Sequence, residues 1–119
     1  MNIILGQSDA EKLSEKYIVL ELDTITIKNS TPIVAYCIVE SDKMPLDQIA
    51  QVADLKKVHT ALMENYYQRN WNFCEQAIKK LTGFWGSQLD TFYASLLSRI
   101  TEYKENEPDE SWTGIVEKG

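Results

Sequence analysis

Residues Tyr17–Glu40 read YIVLELDTITIKNSTPIVAYCIVE, the one stretch of the chain rich enough in β-branched and aromatic residues to make a sheet. Two apolar runs flank Lys28-Asn29-Ser30-Thr31-Pro32, a cluster of turn formers that reverses the chain, so the stretch is predicted to be a β-hairpin. Strand side chains alternate faces. In the first arm Ile18, Leu20 and Leu22 therefore share one face, with Tyr17, Val19 and Glu21 on the other. After Asp23 the parity changes, and Ile25 and Ile27 become the apolar set opposite Thr24, Thr26 and Lys28. A bulge or bend near Asp23 accounts for that change. The second arm, Ile33 to Val39, is apolar on both faces and is expected to be covered by helices on at least one side.

Working outward, Asn2 to Leu5 is a short apolar start that can form a strand. Ser8-Asp9-Ala10-Glu11 has the form of a capping box and predicts a short helix from Asp9 to about Lys16. Such a helix would cover apolar surface that a two-stranded ribbon cannot protect alone. On the other side, Ser41 to Leu46 changes composition and ends the second strand, and a helical region opens at about Asp47. Whether Asp47 to Val52 is a separate short helix or the start of a longer one is open at this level. From Asp54, Leu55, Val58, Leu62 and Tyr66 recur at helical spacing; after Asn70, Trp71, Cys74, Ile78 and Leu81 repeat it. Asp54 to Thr82 thus reads as an antiparallel helical hairpin similar to one tetratricopeptide unit. A single unit is visible, so it docks on the β-element rather than building an array.

Gly83-Phe84-Trp85-Gly86 places two large aromatics between glycines, either as core plugs or as anchors for a partner. Ser87 is placed to cap a last helix, in which Leu89, Phe92, Tyr93, Leu96, Ile100 and Tyr103 form a broad stripe ending near Lys104. Glu105 to Ser111 is an acidic linker around Pro108, and Trp112-Thr113-Gly114 is expected to fold back onto the body. The alternative is that Trp112 waits for a partner. The expected architecture is α+β within one domain: a short helix and hairpin over 1–40, an antiparallel helical bundle over 47–104, and an acidic tail over 105–119.

The hairpin resembles the last hairpin of the class III adenylate/guanylate cyclase catalytic domain. Leu22-Asp23, Ile27-Lys28-Asn29 and Pro32-Ile33-Val34-Ala35-Tyr36 occupy the places of that family's Leu-Asp pair, Val-Lys-Gly turn and Pro-Val-x-x-Tyr strand. Asn29 stands where the family usually has glycine, and asparagine tolerates positive φ better than most residues. Tyr66-Tyr67-Gln68-Arg69-Asn70-Trp71 and Trp112-Thr113-Gly114 with Lys118 are similar to motifs of the helical extension that many bacterial cyclases carry. The resemblance spans nearly the whole chain through short motifs. It implies that the two metal-binding aspartates, the purine-selecting residues and the Asn/Arg pair of the family lie in a region with no counterpart here. The contact it carries over is Lys28, whose ammonium would approach the nucleotide triphosphate; the plain alternative is a solvated turn lysine.

Composition narrows the remaining classes. The 119 residues are 44% hydrophobic, enough for a modest core, and carry a net charge of −6. That balance argues against a nucleic-acid footprint and against an anionic membrane surface. No apolar run approaches the ~20 residues of a membrane helix, the first residues lack the basic start, apolar middle and small-residue cleavage site of a secretory signal, and a cytoplasmic location is expected. Cys37 and Cys74 show no disulfide or metal spacing and are expected to be buried thiols. His59 has no partner spaced for a zinc site and reads as a partly exposed helix residue. The acids from Glu102 to Glu110 lack the loop spacing of an EF-hand. No catalytic set, metal site or cofactor is implied. The expected function is a non-catalytic interaction or regulatory module, with a protein partner or a second copy bound through an exposed hairpin edge. Phe84, Trp85 and Trp112 are the candidate contact residues. Two alternatives stand beside it: the C-terminal piece of a split cyclase, or a small-molecule binder with a pocket between the hairpin and the aromatic helices.

Overall fold

The computed structural model describes residues 2–27 and 31–118. It is an α+β fold in which the main helical layer covers one face of a four-stranded sheet. β1 (Asn2–Leu5) and β2 (Ile18–Ile27) both pair antiparallel with β3 (Ile33–Val39), while β4 (Ile115–Lys118) runs parallel to β2. The hairpin is present as expected, but neither of its strands is an edge. β1 takes the outer side of β3 and β4 the outer side of β2, which corrects the expectation of an exposed hairpin edge.

The parity change in β2 has a structural counterpart, since the register with β3 slips between Glu21 and Thr24. Before the slip, Leu20 and Leu22 face the helices; in β3, Ala35, Cys37 and Val39 do the same and are buried. These residues join one continuous core with Leu55, Leu62, Met63, Leu96 and Ile100. Each fully buried aliphatic side chain contributes roughly 1.5–3 kcal/mol. That supplies the shield an isolated hairpin lacks.

α1 (Gln7–Leu13) lies against the other face of the sheet, where it buries Ala10 beside Val19. It starts two residues earlier than expected. Gly6, at φ 99, makes the turn out of β1, and no side chain caps the helix, so Ser8 sits inside the first turn rather than ahead of it. The helix ends at Leu13, where the Ser14 hydroxyl donates to the Glu11 carbonyl.

After β3, a 3₁₀ turn at Ser41–Lys43 leads to α2 (Leu46–Ile49), a separate four-residue helix. α3 (Val52–Tyr67) and α4 (Trp71–Leu81) form the expected helical hairpin, reversed at Arg69, which adopts φ 65. α5 (Asp90–Glu105) closes the core with Phe92, Tyr93, Leu96 and Ile100. Ser87 does not cap it. Trp85, Gly86 and Ser87 form a 3₁₀ turn with positive φ at each residue. A Cβ on Gly86 would lie 2.3 Å from the Lys43 carbonyl oxygen, so only glycine fits that crossing. No helix among the described residues is long and apolar enough to cross a membrane.

Candidate functional site

The motif-bearing residues of the helices and tail converge at the turn of the α3–α4 hairpin. Tyr66 and Tyr67 end α3, Trp71 begins α4, and Tyr103 comes from the last turn of α5. Trp112 inserts among them. Its ring centroid lies 5.5 Å from Tyr66, 5.6 Å from Trp71 and 5.4 Å from Tyr103, all edge-to-face. Such pairs contribute about 0.5–1.5 kcal/mol each beyond burial. The Arg69 guanidinium carbon sits 5.3 Å from the centre of the Trp112 ring. Its nitrogens donate to the carbonyls of Pro108 (2.9 Å) and Asp109 (2.5 Å). The Trp71 indole N–H donates to Glu107 Oε2 at 3.1 Å.

Positive φ at Arg69 is what brings its side chain to this position, since the reversal between two helices needs a left-handed residue there. Gly114, at φ 81, then carries the backbone past the Tyr67 ring. A Cβ on it would lie 2.5 Å from two ring carbons. Two consecutive events, an indole inserted and a glycine sliding by, deliver β4 to the edge of β2.

A second set of contacts links this clasp to the hairpin. The Arg99 guanidinium makes two 3.0 Å hydrogen bonds to the Asp23 carboxylate, one to each oxygen, and a third, at 3.4 Å, to the Tyr66 hydroxyl. Burial opposes the charge on Arg99, yet the bonds to Asp23 outweigh it and the guanidinium pKa is raised. Burial raises the Tyr66 phenol pKa as well. Asp23 occupies the register slip, where one strand residue is released from strict alternation and can turn its carboxylate toward α5.

His59 is a correction to the sequence reading. It is 1% exposed rather than partly exposed. Its Nε2–H donates to the Glu21 carbonyl, and its Nδ1 accepts from the Tyr93 hydroxyl at 2.9 Å. Tyr93 in turn accepts from the Trp85 indole N–H at 2.9 Å. The carbonyl can only accept, which fixes the tautomer and the direction of the whole chain of bonds. Burial lowers the imidazole pKa to about 4.

Of the residues expected to contact partners, Trp85 is fully buried and is a core plug. Phe84 and Trp112 are partly buried and pack against the core. Lys28 lies outside the described residues. Burial pushes Cys37 up to about 12 and Cys74 up to about 11, so neither thiol is activated. Among the described residues no three His, Cys, Asp or Glu side chains are grouped to hold a metal ion. The contact between hairpin and aromatic helices is filled by the core. A cleft of about 670 Å³ opens elsewhere, where the turn after α1 meets the end of β3, lined among others by Lys16, Tyr17, Ile38, Glu40 and Asp42. Comparison with family models, with curated proteins and with solved structures gives no match.

Proposed function

We propose that the chain is a non-catalytic interaction or regulatory module, built like the terminal hairpin and helical extension of a class III nucleotide cyclase and acting on a partner polypeptide. One observation carries this. The segments that gave the resemblance depend on one another: Asp23 is held by Arg99, Arg99 reaches Tyr66, Tyr66 stacks on Trp112, and Arg69 ties down the tail that carries Trp112. These contacts join the hairpin, the helical pair and the tail into one unit, as a terminal hairpin with its helical extension would be joined. The reading is by likeness of architecture, and it names a partner of one chemistry: the catalytic part of such a cyclase, with its metal-binding aspartates.

The test is sedimentation velocity of this chain mixed with a class III cyclase catalytic part from which the terminal hairpin has been removed. A stoichiometric complex at micromolar concentration is the expected result; separate boundaries at all ratios overturn the proposal. The same mixture, assayed for cyclic nucleotide, separates regulation from completion of a split enzyme. Product formation that is abolished by Lys28→Ala assigns the chain to the second role.

A further inference from the structure

We infer that β1 is a self-complementary edge through which two copies of this chain pair antiparallel into one continuous sheet. This inference is independent of the cyclase likeness. Gly6 N–H donates to the Val34 carbonyl at 3.1 Å, in register with the β1–β3 pairing of Ile4 with Tyr36 and Asn2 with Ile38. Bonded and non-bonded pairs alternate in an antiparallel ladder. Asn2, Ile4 and Gly6 therefore face β3, and the N–H and C=O groups of Ile3 and Leu5 point outward from the sheet.

Ile3 and Leu5 also carry the exposed apolar side chains of this strand, at 53% and 43%. Cross-strand partners share a face, and these two stand opposite Cys37 and Ala35, on the side of the sheet that the helices cover farther in. At β1 that cover is incomplete, since both side chains stay exposed. Polar backbone groups and uncovered apolar side chains thus belong to the same two residues.

A second copy satisfies both at once. Turned antiparallel with Ile4 on the two-fold axis, Ile3 of each copy faces Leu5 of the other. The two facing pairs exchange four main-chain hydrogen bonds and gather four apolar side chains on one face. Charge points the same way. Each copy carries −6 overall, yet Asn2 to Gly6 has no charged residue, so the copies meet where like charges are absent. β1 has no charge, proline or bulge of the kind that protects an edge. Four residues span only about 14 Å. The contact falls below the ~1,200 Å² of a standard stable interface, so the dimer is weak and concentration-dependent.

Sedimentation equilibrium of the full chain reads this directly. The expected weight-average mass rises from 13.7 kDa toward twice that value between about 10 μM and 1 mM, a range set by the small interface. Ile3→Pro removes an outward donor without touching a bond to β3, and Leu5→Lys places a charge in the seam; each should hold the mass at that of one chain. Ile4→Cys should give a disulfide-linked dimer on mild oxidation, because non-bonded antiparallel pairs bring the two Cβ atoms within reach. A mass that stays at one chain throughout overturns the inference. So does a dimer that survives both edge variants, or failure of Ile4→Cys to cross-link at concentrations where the wild type self-associates. Protection of the Ile3 and Leu5 amides only when a cyclase catalytic part is added would give the edge to that partner and also overturn self-pairing.

Discussion

Replacing His59 with glutamine is expected to remove one defined component of the acid sensitivity of the fold. In the native state the imidazole is neutral, sealed from water, and committed to donating at Nε2 and accepting at Nδ1. A proton on Nδ1 would meet the Tyr93 hydroxyl proton, and the cation would have no solvent. The folded pKa is accordingly about 4, against 6.5 for the exposed side chain. Between those values the unfolded chain binds a proton that the fold refuses, so stability falls as pH drops through the window. Linkage gives a loss of roughly 0.8 kcal/mol at pH 6, about 2 kcal/mol at pH 5 and about 3 kcal/mol at pH 4, toward a limit near 3.4 kcal/mol.

Glutamine keeps one donor and one acceptor at this depth but does not titrate. With a urea m-value of roughly 1.5 kcal/mol/M for a chain of this size, the wild-type midpoint should drop by about 1.3 M from pH 7.5 to pH 5 through this group. His59→Gln should lack that component. Glu21 acts in the opposite sense: burial first, and Glu64 second, raise its pKa, so it takes up a proton earlier in the fold than in the unfolded chain. It is present in both proteins, and the difference between their pH profiles isolates the histidine. Parallel profiles from pH 7.5 to 5 would refute the role given to His59.

Three further outcomes follow from the contacts. Gly114→Ala forces a Cβ to within 2.5 Å of the Tyr67 ring at a φ of 81, and should lower stability by about 1–3 kcal/mol in urea titration while shifting Trp112 emission to the red. Asp23→Asn leaves Arg99 without its ionised partner in a half-buried position and is expected to cost about 1–3 kcal/mol; adding Arg99→Met should cost less than the sum of the single changes, the mark of a coupled pair in a double-mutant cycle. Cys37 and Cys74, with raised thiol pKa values, should react with a thiol reagent at pH 8 only at the rate of unfolding, and both together.

The hairpin, the parity change at Asp23 and the helical pair were legible because each is local: a dense β-branched run, a break in period two, and two runs at helical spacing. The buried histidine was within reach of the same reasoning. His59 lies four residues after Leu55 and four before Met63, on the same helical stripe, but weighing it only against a zinc site leaves it a partly exposed helix residue. Asp23 carried a signal too, since a carboxylate inside an apolar strand calls for a cation. Nothing local could say that the cation was Arg99, 76 residues away. Caps failed where geometry overrode composition: Gly6 turned the chain before Ser8 could cap, and Ser87 was drawn into a strained 3₁₀ turn by the crossing of Gly86 over Lys43.

β4 was the least legible element, and the reason bears on how the tail behaves. A parallel pair between Thr24 and Ile115 closes a loop of nearly the whole chain, so its entropy cost falls due only after every helix between has been placed. Four residues of parallel ladder are too few to hold such a closure by themselves. The clasp supplies what the ladder lacks: Trp112 among three aromatic rings, Arg69 on two backbone carbonyls, and Gly114 against Tyr67. Because α3, α4 and α5 build that clasp, the second edge of the hairpin is covered only once the helical layer is complete, and the sheet reports the integrity of helices that it contacts only in part.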